Sequence, residues 1–353
     1  VGIARALVRW GADVYLEPSY VSPPLPKDVA LLLTKHLKAP FDLIIQHSDP
    51  DNLGISDIAA QCSEVRVGWS MWEFSDAKPL ASRISTFKRR LKHFDLMLMY
   101  DSVSLEAWQQ YGPKRLAWAV LQGGYEAAEW KYYGERDWFE DRFMFIMHGQ
   151  LHNRKSPYVT IQAFNELKHE HPKDFEPARL GLHTTIGDPL VVFGQMIPGM
   201  KVWHEMWEKS VLEEFYHAAH VLVAPSRGEG KNLPALEMLT TGGAVAATNW
   251  GGHTQWINPQ YAYPLDYTLT PTDPNHPDGA HDAKVSVQTV KDMMWHTFNN
   301  REEVKCKAEI GAETIPKMCD WSVVIERFFD RVRDNVPDKG EKLWIKAQQC
   351  RKE

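Results

Sequence analysis

Residues 221–252 read VLVAPSRGEGKNLPALEMLTTGGAVAATNWGG, and this stretch decides the fold. His220 to Ala224 is an apolar run with β-branched residues that stops at Pro225, the pattern of a strand buried on both faces. A glycine-bearing loop follows, then a short helix and a second strand ending in a Gly-Gly turn. Pro234 suits the first position of the helix and Gly242-Gly243 its end. Glu229 sits in the loop, and Glu237 lies on the first turn of the helix. From Asn232 onward the helix opening offers unpaired backbone N–H groups and a partial positive charge, which together favour a phosphate. Carboxylates beside such a pocket accept hydrogen bonds from hydroxyls. Phosphate plus hydroxyls describes a nucleotide sugar.

The segment resembles the signature of the retaining family-4 glycosyltransferases, roughly P-S-x-x-E-G-F-G-L-P-x-L-E-A-x-x-x-G-x-P-V-V-A-T-x-x-G-G. Pro225, Ser226, Glu229, Gly230, Leu233, Pro234, Leu236, Glu237, Gly242, Val245, Ala247, Thr248, Gly251 and Gly252 match it in register. The resemblance implies an α/β protein of GT-B type, two facing Rossmann-like domains with a cleft between them. It also implies roles: Glu229 orients the donor sugar, Glu237 holds the ribose, and the Gly230 loop with the Asn232 and Leu233 amides faces the diphosphate. The departures are Lys231-Asn232 where Phe-Gly is usual, and Gly243-Ala244 where a small residue and Pro are usual.

A second constellation, Gly149-Gln150-Leu151-His152-Asn153-Arg154-Lys155, follows one strand and precedes a helix. The family carries Gly-Arg-Leu here, then Lys five positions after the Arg, and this pair neutralises the departing diphosphate. Lys155 matches the lysine, so with Glu229 it is the expected catalytic residue. Gln150 replaces the arginine. A leaving group of about two negative charges loses several kcal/mol of transition-state stabilisation when a cation is removed. Arg154 and Arg227 are the candidates to supply it.

At 353 residues, 44% hydrophobic and 24% charged, the chain is long enough for two domains with separate cores. A net charge of −6 excludes a globally basic nucleic-acid surface, leaving only local patches. No apolar run reaches a membrane span and no leader peptide is visible. Cys62, Cys306, Cys319 and Cys350 are scattered without C-x-x-C spacing, the pattern of reduced thiols in a cytoplasmic protein rather than a zinc site. Neither a metal nor a bound cofactor is expected, only a UDP- or GDP-linked sugar as co-substrate.

Along the chain, Gly2 to Trp10 reads as a helix and Asp13 to Leu16 as a strand. A doubly wound domain should open with a strand and a glycine-rich turn, so that strand and most of its loop are expected to precede these residues. Strands are expected over 41–46, 65–71, 94–100, 119–121, 143–147, 180–184 and 201–204. Helices are expected over 84–94, 156–167, 285–299, 302–314 and 321–332. This gives a first domain over 1–140, a nucleotide-sugar domain over 141–320, and a helix over 321–353 crossing back, with a charged tail from Pro337 loosely held.

Three further features bear on the acceptor. His47 ends a strand, where open α/β sheets place ligand groups, and Trp72-Glu73 follows another into a loop. Asp49-Pro50-Asp51 has the form of a metal-binding D-x-D motif, but paired acids at a strand-end turn are ordinarily caps. In residues 83–94, Ile84, Phe87, Leu91 and Phe94 form one apolar stripe with cations opposite. That face fits solvent, an anionic membrane surface met peripherally, or the phosphates of a nucleic acid. The acceptors that follow are a glycan or lipid and, as an alternative, hydroxymethylated pyrimidines in DNA. A rival of another class is a sugar-nucleotide-binding protein that has lost catalysis.

Overall fold

The computed structural model describes residues 2–16, 27–33, 40–48, 53–73, 88–134, 136, 138, 142–185, 197–272 and 280–351. The chain divides into two units, Val1–Glu126 with Cys319–Glu353, and Ala127–Met318.

In the first unit, helices α1 (Gly2–Arg9) and α2 (Lys27–Leu33) precede a parallel sheet. Its strands are β1 (Phe41–His47), β2 (Ser63–Ser70), β3 (Leu96–Met99) and β4 (Ala117–Val120), in the order β1-β2-β3-β4. β3 shows why the sheet is covered on both sides. Its sequence is LMLM, and successive side chains point to opposite faces. Leu96 and Leu98 join Trp69 and Phe328 in one core, while Met97 and Met99 join Leu53, Phe94 and Trp108 in another. Helices α3 (Asp57–Gln61) and α4 (Ser102–Gln109) are capped by Ser56, which accepts from the Ala59 N–H, and Asp101, which accepts from the Ser104 N–H.

One expectation fails here, and two others fall wholly or partly outside the described residues. Asp13 to Leu16 joins no described sheet; Val14 packs with Ala4 of α1 and Leu32 of α2 instead of with strand neighbours. Residues 83–87 and the 49–51 acids lie outside the described residues. Of the basic stretch, 88–90 is helical and Leu91–His93 is a 3-10 turn, with Leu91 and Phe94 fully buried and Lys88, Arg89 and Arg90 exposed.

The second unit is built on six parallel strands: β5 (Phe143–His148), β6 (Ala178–Thr184), β7 (Met200–His204), β8 (Val221–Ala224), β9 (Ala244–Thr248) and β10 (Tyr263–Leu265). Their order is β10-β9-β8-β5-β6-β7, the doubly wound pattern in which the chain starts centrally and reverses. A two-stranded antiparallel ribbon, β11 (Thr268–Pro271) with β12 (His281–Lys284), is added beside it. The helices are α5 (Pro157–Glu170), α6 (Lys209–Ala218), α7 (Leu233–Thr240), α8 (Val287–Asn299) and α9 (Arg301–Cys319). Phe143, Phe145, Phe164 and Phe175 fill the core under α5 and α8. Arg136 is buried in this unit, its guanidinium donating to the carbonyls of Tyr216, His217 and Ala219 at the end of α6 and of Thr241 at the end of α7. A cation suits two converging helix C-termini.

The chain then returns to the first unit through α10 (Trp321–Asn335) and α11 (Lys339–Cys350). Trp321, Ile325 and Phe328 of α10 enter the core beneath β2 and β3, with Phe328 stacked on Trp69 at 5.4 Å. The charged tail is not loose. Leu343 and Ala347 of α11 are buried in the same core, and the Trp10 indole donates to the Ala347 carbonyl at 2.9 Å. Gly340 permits the crossing, because a Cβ there would stand 2.3 Å from the Val332 carbonyl oxygen. Charge content hid the apolar spacing of Leu343, Trp344 and Ala347. A buried Leu343 makes Leu343→Ala cost about 2–4 kcal/mol of unfolding free energy. Urea titration checks this, and a loss under about 0.5 kcal/mol would return α11 to a surface appendage.

Candidate functional site

Because β5, β8 and β9 are parallel neighbours, their carboxyl ends lie together, and the loops leaving them share one end of the sheet. These loops are 149–156, 225–232 and 249–253. Open α/β sheets bind ligands at this end. The first two loops are tied by the Arg227 N–H, which donates to the Arg154 carbonyl at 2.7 Å. The second and third are tied by the Gly252 N–H, which donates to the Glu229 carbonyl at 2.8 Å. Glycine is obligatory at that crossing: a Cβ on Gly252 would stand 2.0 Å from the Gly230 carbonyl oxygen.

Glu229 is the centre of the site. It is only 5% exposed, and its carboxylate is bound by the Lys155 ammonium and, at 3.3 Å, by the Arg154 guanidinium. Arg154 also donates to the Gly228 carbonyl. Burial alone would raise the Glu229 pKa, but the charges of Lys155 and then Arg154 outweigh it and hold the carboxyl down at about 2. Glu237 is the opposite case. Burial pushes it up to about 7 against the Tyr216 hydrogen bond, which reaches Oε2 at 2.8 Å, and the charges of Lys209 and Lys231. It sits one turn into α7, not on its first turn.

The other expected residues fall out as follows. Asn232 opens α7 in a left-handed conformation, and among the described residues neither its N–H nor that of Leu233 donates to a backbone carbonyl. Leu233 offers only its backbone, since its side chain is exposed. Gln150 is exposed as well. Arg227 does not supply the missing cation: Asp282 holds its guanidinium through two bonds of 2.6 and 2.8 Å. Arg154 lies on Glu229 instead. His47, Trp72 and Glu73 belong to the first unit. The His47 imidazole is exposed and meets the Tyr100 hydroxyl at 2.8 Å, and Trp72 lies edge-on to Trp108, its backbone held to the Ser104 hydroxyl.

Three residues escaped the sequence reading, and a fourth, Ser226, entered it only as a match to the signature. Tyr216 fixes Glu237. His253, buried behind Asn232, meets its side-chain amide at 3.0 Å. His148 ends β5 and is held well below the usual imidazole range, at about 3, first by burial and then by His183 and Lys155. Its position at a strand end is the signal that singled out His47. Ser226 is 2% exposed, and its hydroxyl bonds to no described residue. A small cavity joins Ser226, His148, Lys155 and Asn232 at the ends of β5 and β8. Among the described residues no cluster of His, Cys, Asp and Glu is placed to hold a metal ion, and no helix is long and apolar enough to cross a membrane.

Residues 142–276, which contain this entire cluster, match the family described as glycosyl transferases group 1. The match lies within the second unit. No curated protein matches it by sequence. Among solved structures it is similar to the α,α-trehalose 6-phosphate synthase of Burkholderia multivorans, with a TM-score of 0.60, 14% identity, and coverage of 87% of this chain and 72% of that one. The sucrose-phosphate synthase of Thermosynechococcus elongatus gives 0.59 and 14%, covering 83% and 73%. Anabaena HepE in complex with UDP gives 0.61 and 12%, covering 83% and 79%. At these identities the likeness establishes the fold, which is GT-B.

The two carboxylates make opposite contributions to stability with pH. Glu237 has a folded pKa above its ordinary 4.5, so stability falls as pH rises from 4.5 to about 7 and the buried group must ionise. Glu229 lies below 4.5, so its contribution is present above 4.5 and is lost as pH falls toward 2. Between about pH 5 and pH 7.5 the wild type should lose roughly 2–3 kcal/mol more stability than Glu237→Gln. Denaturant titration at both pH values measures it, and parallel curves would show that Glu237 is not forced up by burial.

Proposed function

We propose that the protein transfers a sugar from a nucleotide sugar to an acceptor hydroxyl with retention at the anomeric carbon. One observation carries the reading: a buried carboxylate, Glu229, is paired with Lys155 and Arg154 at the strand ends, beside the opening of α7. Lys155, Arg154 and the Asn232 and Leu233 amides would receive the diphosphate. Glu229 would orient the sugar through its hydroxyls, and Glu237 would hold the ribose with the carboxylate oxygen that Tyr216 does not use. Ser226 offers one further hydroxyl to the ligand. The acceptor oxygen bonds to the anomeric carbon as the bond to the leaving phosphate breaks, and that phosphate takes the acceptor's proton on the same face. The donor site needs no metal in this scheme. A UDP-linked donor is the first to test, since the HepE of the comparison is in complex with UDP. For the acceptor a glycan or lipid is favoured over DNA, because the net charge is −6 and the sequence carries no nucleic-acid-binding motif.

Calorimetry with UDP and GDP, alongside turnover of their sugars, tests the assignment. Glu237→Ala should weaken nucleotide binding by about 1–3 kcal/mol. Glu229→Ala should lower turnover more than nucleotide affinity. Unchanged binding and turnover in both variants would remove the reading.

A specific observation favours a second reading, a sugar-nucleotide-binding protein without transfer. Gln150 is neutral and exposed, and Arg227 is committed to Asp282. On this reading the wild type binds donor without hydrolysing or transferring it, and Gln150→Arg gains activity. Ordinary turnover by the wild type excludes it.

A further inference from the structure

Asn232 stands where the signature has glycine, and its backbone explains why glycine is usual. Its φ is 64° and ψ 71°, a left-handed conformation that L residues rarely adopt and that Asn tolerates best. Such a residue keeps this conformation only when its surroundings fix it. Here the fold supplies those surroundings: the loop carrying Gly251 and Gly252 ends in His253, which is 1% exposed. The His253 Nδ1 faces the Thr248 carbonyl at 2.8 Å, so Nδ1 carries the proton. Burial holds this ring well below the usual imidazole range, at about 4, so it is neutral and Nε2 is an acceptor. Asn232 Nδ2 donates to that Nε2 at 3.0 Å. The chain of bonds therefore has one direction, from the Asn232 amide through the imidazole to the backbone at the end of β9. Thr248 is itself anchored, its hydroxyl donating to the Ser226 carbonyl at 2.8 Å. The neighbouring Lys231 carbonyl accepts from the Trp256 indole at 3.0 Å, so the residue before the strained one is held as well.

We propose that His253 is a positioning residue of the donor site. It clamps the Asn232 side chain so that a residue other than glycine can open α7 left-handed, with the Asn232 and Leu233 N–H groups kept for the phosphates of a nucleoside diphosphate. The proposal rests on the donor-site reading above. It gives this chain a two-residue replacement, Asn232 with His253, for one glycine.

The test is a double-mutant cycle read by calorimetric UDP and GDP affinity, using wild type, His253→Ala, Asn232→Gly and the double variant. His253→Ala should bind about tenfold more weakly. Asn232→Gly keeps the backbone N–H and should lose less affinity than His253→Ala, because glycine adopts this φ unaided. The double variant should bind within about twofold of Asn232→Gly alone, since the clamp then has nothing to hold. His253→Phe keeps the ring packed edge-on against Trp256, 5.3 Å away, while removing both bonds, and should follow His253→Ala. A histidine variant that folds only together with Asn232→Gly also supports the proposal. Equal losses in both backgrounds, no loss in His253→Ala, or failure to fold in both backgrounds would overturn it. A wild type that binds neither nucleotide would overturn the donor-site reading instead, which separates the two failures.

Discussion

The ion pair between Glu229 and Lys155 is the constraint around which the second unit's loops are arranged. A carboxylate this deeply buried is tolerable only when a cation and hydrogen bonds compensate its lost hydration. That requirement brings the loop after β5, which carries Arg154 and Lys155, against the loop after β8, which carries Glu229. The Gly251-Gly252 turn completes the enclosure by approaching Glu229 and Gly230 at backbone distance. The pair is poised as much as it is stable, because a phosphate would compete with Glu229 for the same cations. The two carboxylates of this short segment are driven in opposite directions from the ordinary range, Glu229 down by cations and Glu237 up by burial.

Much of this was legible in the sequence wherever local patterns and tertiary needs coincided. The run from Val221 to Gly252 announces strand, loop, helix and strand, because Pro225, Pro234 and Gly242 punctuate it where the backbone turns. The two glutamates and Lys155 were visible through the resemblance. What escaped is tertiary. Nothing local says that Tyr216, on another helix, reaches Glu237, or that Asp282 takes the Arg227 guanidinium on the strength of a ribbon far along the chain. The first unit was harder still. Asp13 to Leu16 has the composition of a strand but pairs with no strand among the described residues, and α11 carries enough charge to mask its apolar stripe.

The departures from the signature carry more information than the matches. Gln150 stands where the signature has a cation, and of the two candidate replacements Arg154 lies on Glu229 and Arg227 on Asp282. Asn232 removes a glycine, and the buried neutral His253 stands behind it. The second change has a visible counterpart in the structure, whereas the first is met only by a residue already bound to Glu229 and Gly228.

The measurement that bears most directly on the account is the UDP affinity of Lys155→Met, with the unfolding midpoint recorded on the same samples. If Lys155 is shared between Glu229 and the donor diphosphate, the variant should bind UDP at least tenfold more weakly, since a charge-assisted contact to phosphate is lost. It should also unfold more readily, because Glu229 then keeps only Arg154. A folded Lys155→Met that binds UDP as the wild type does would contradict the account.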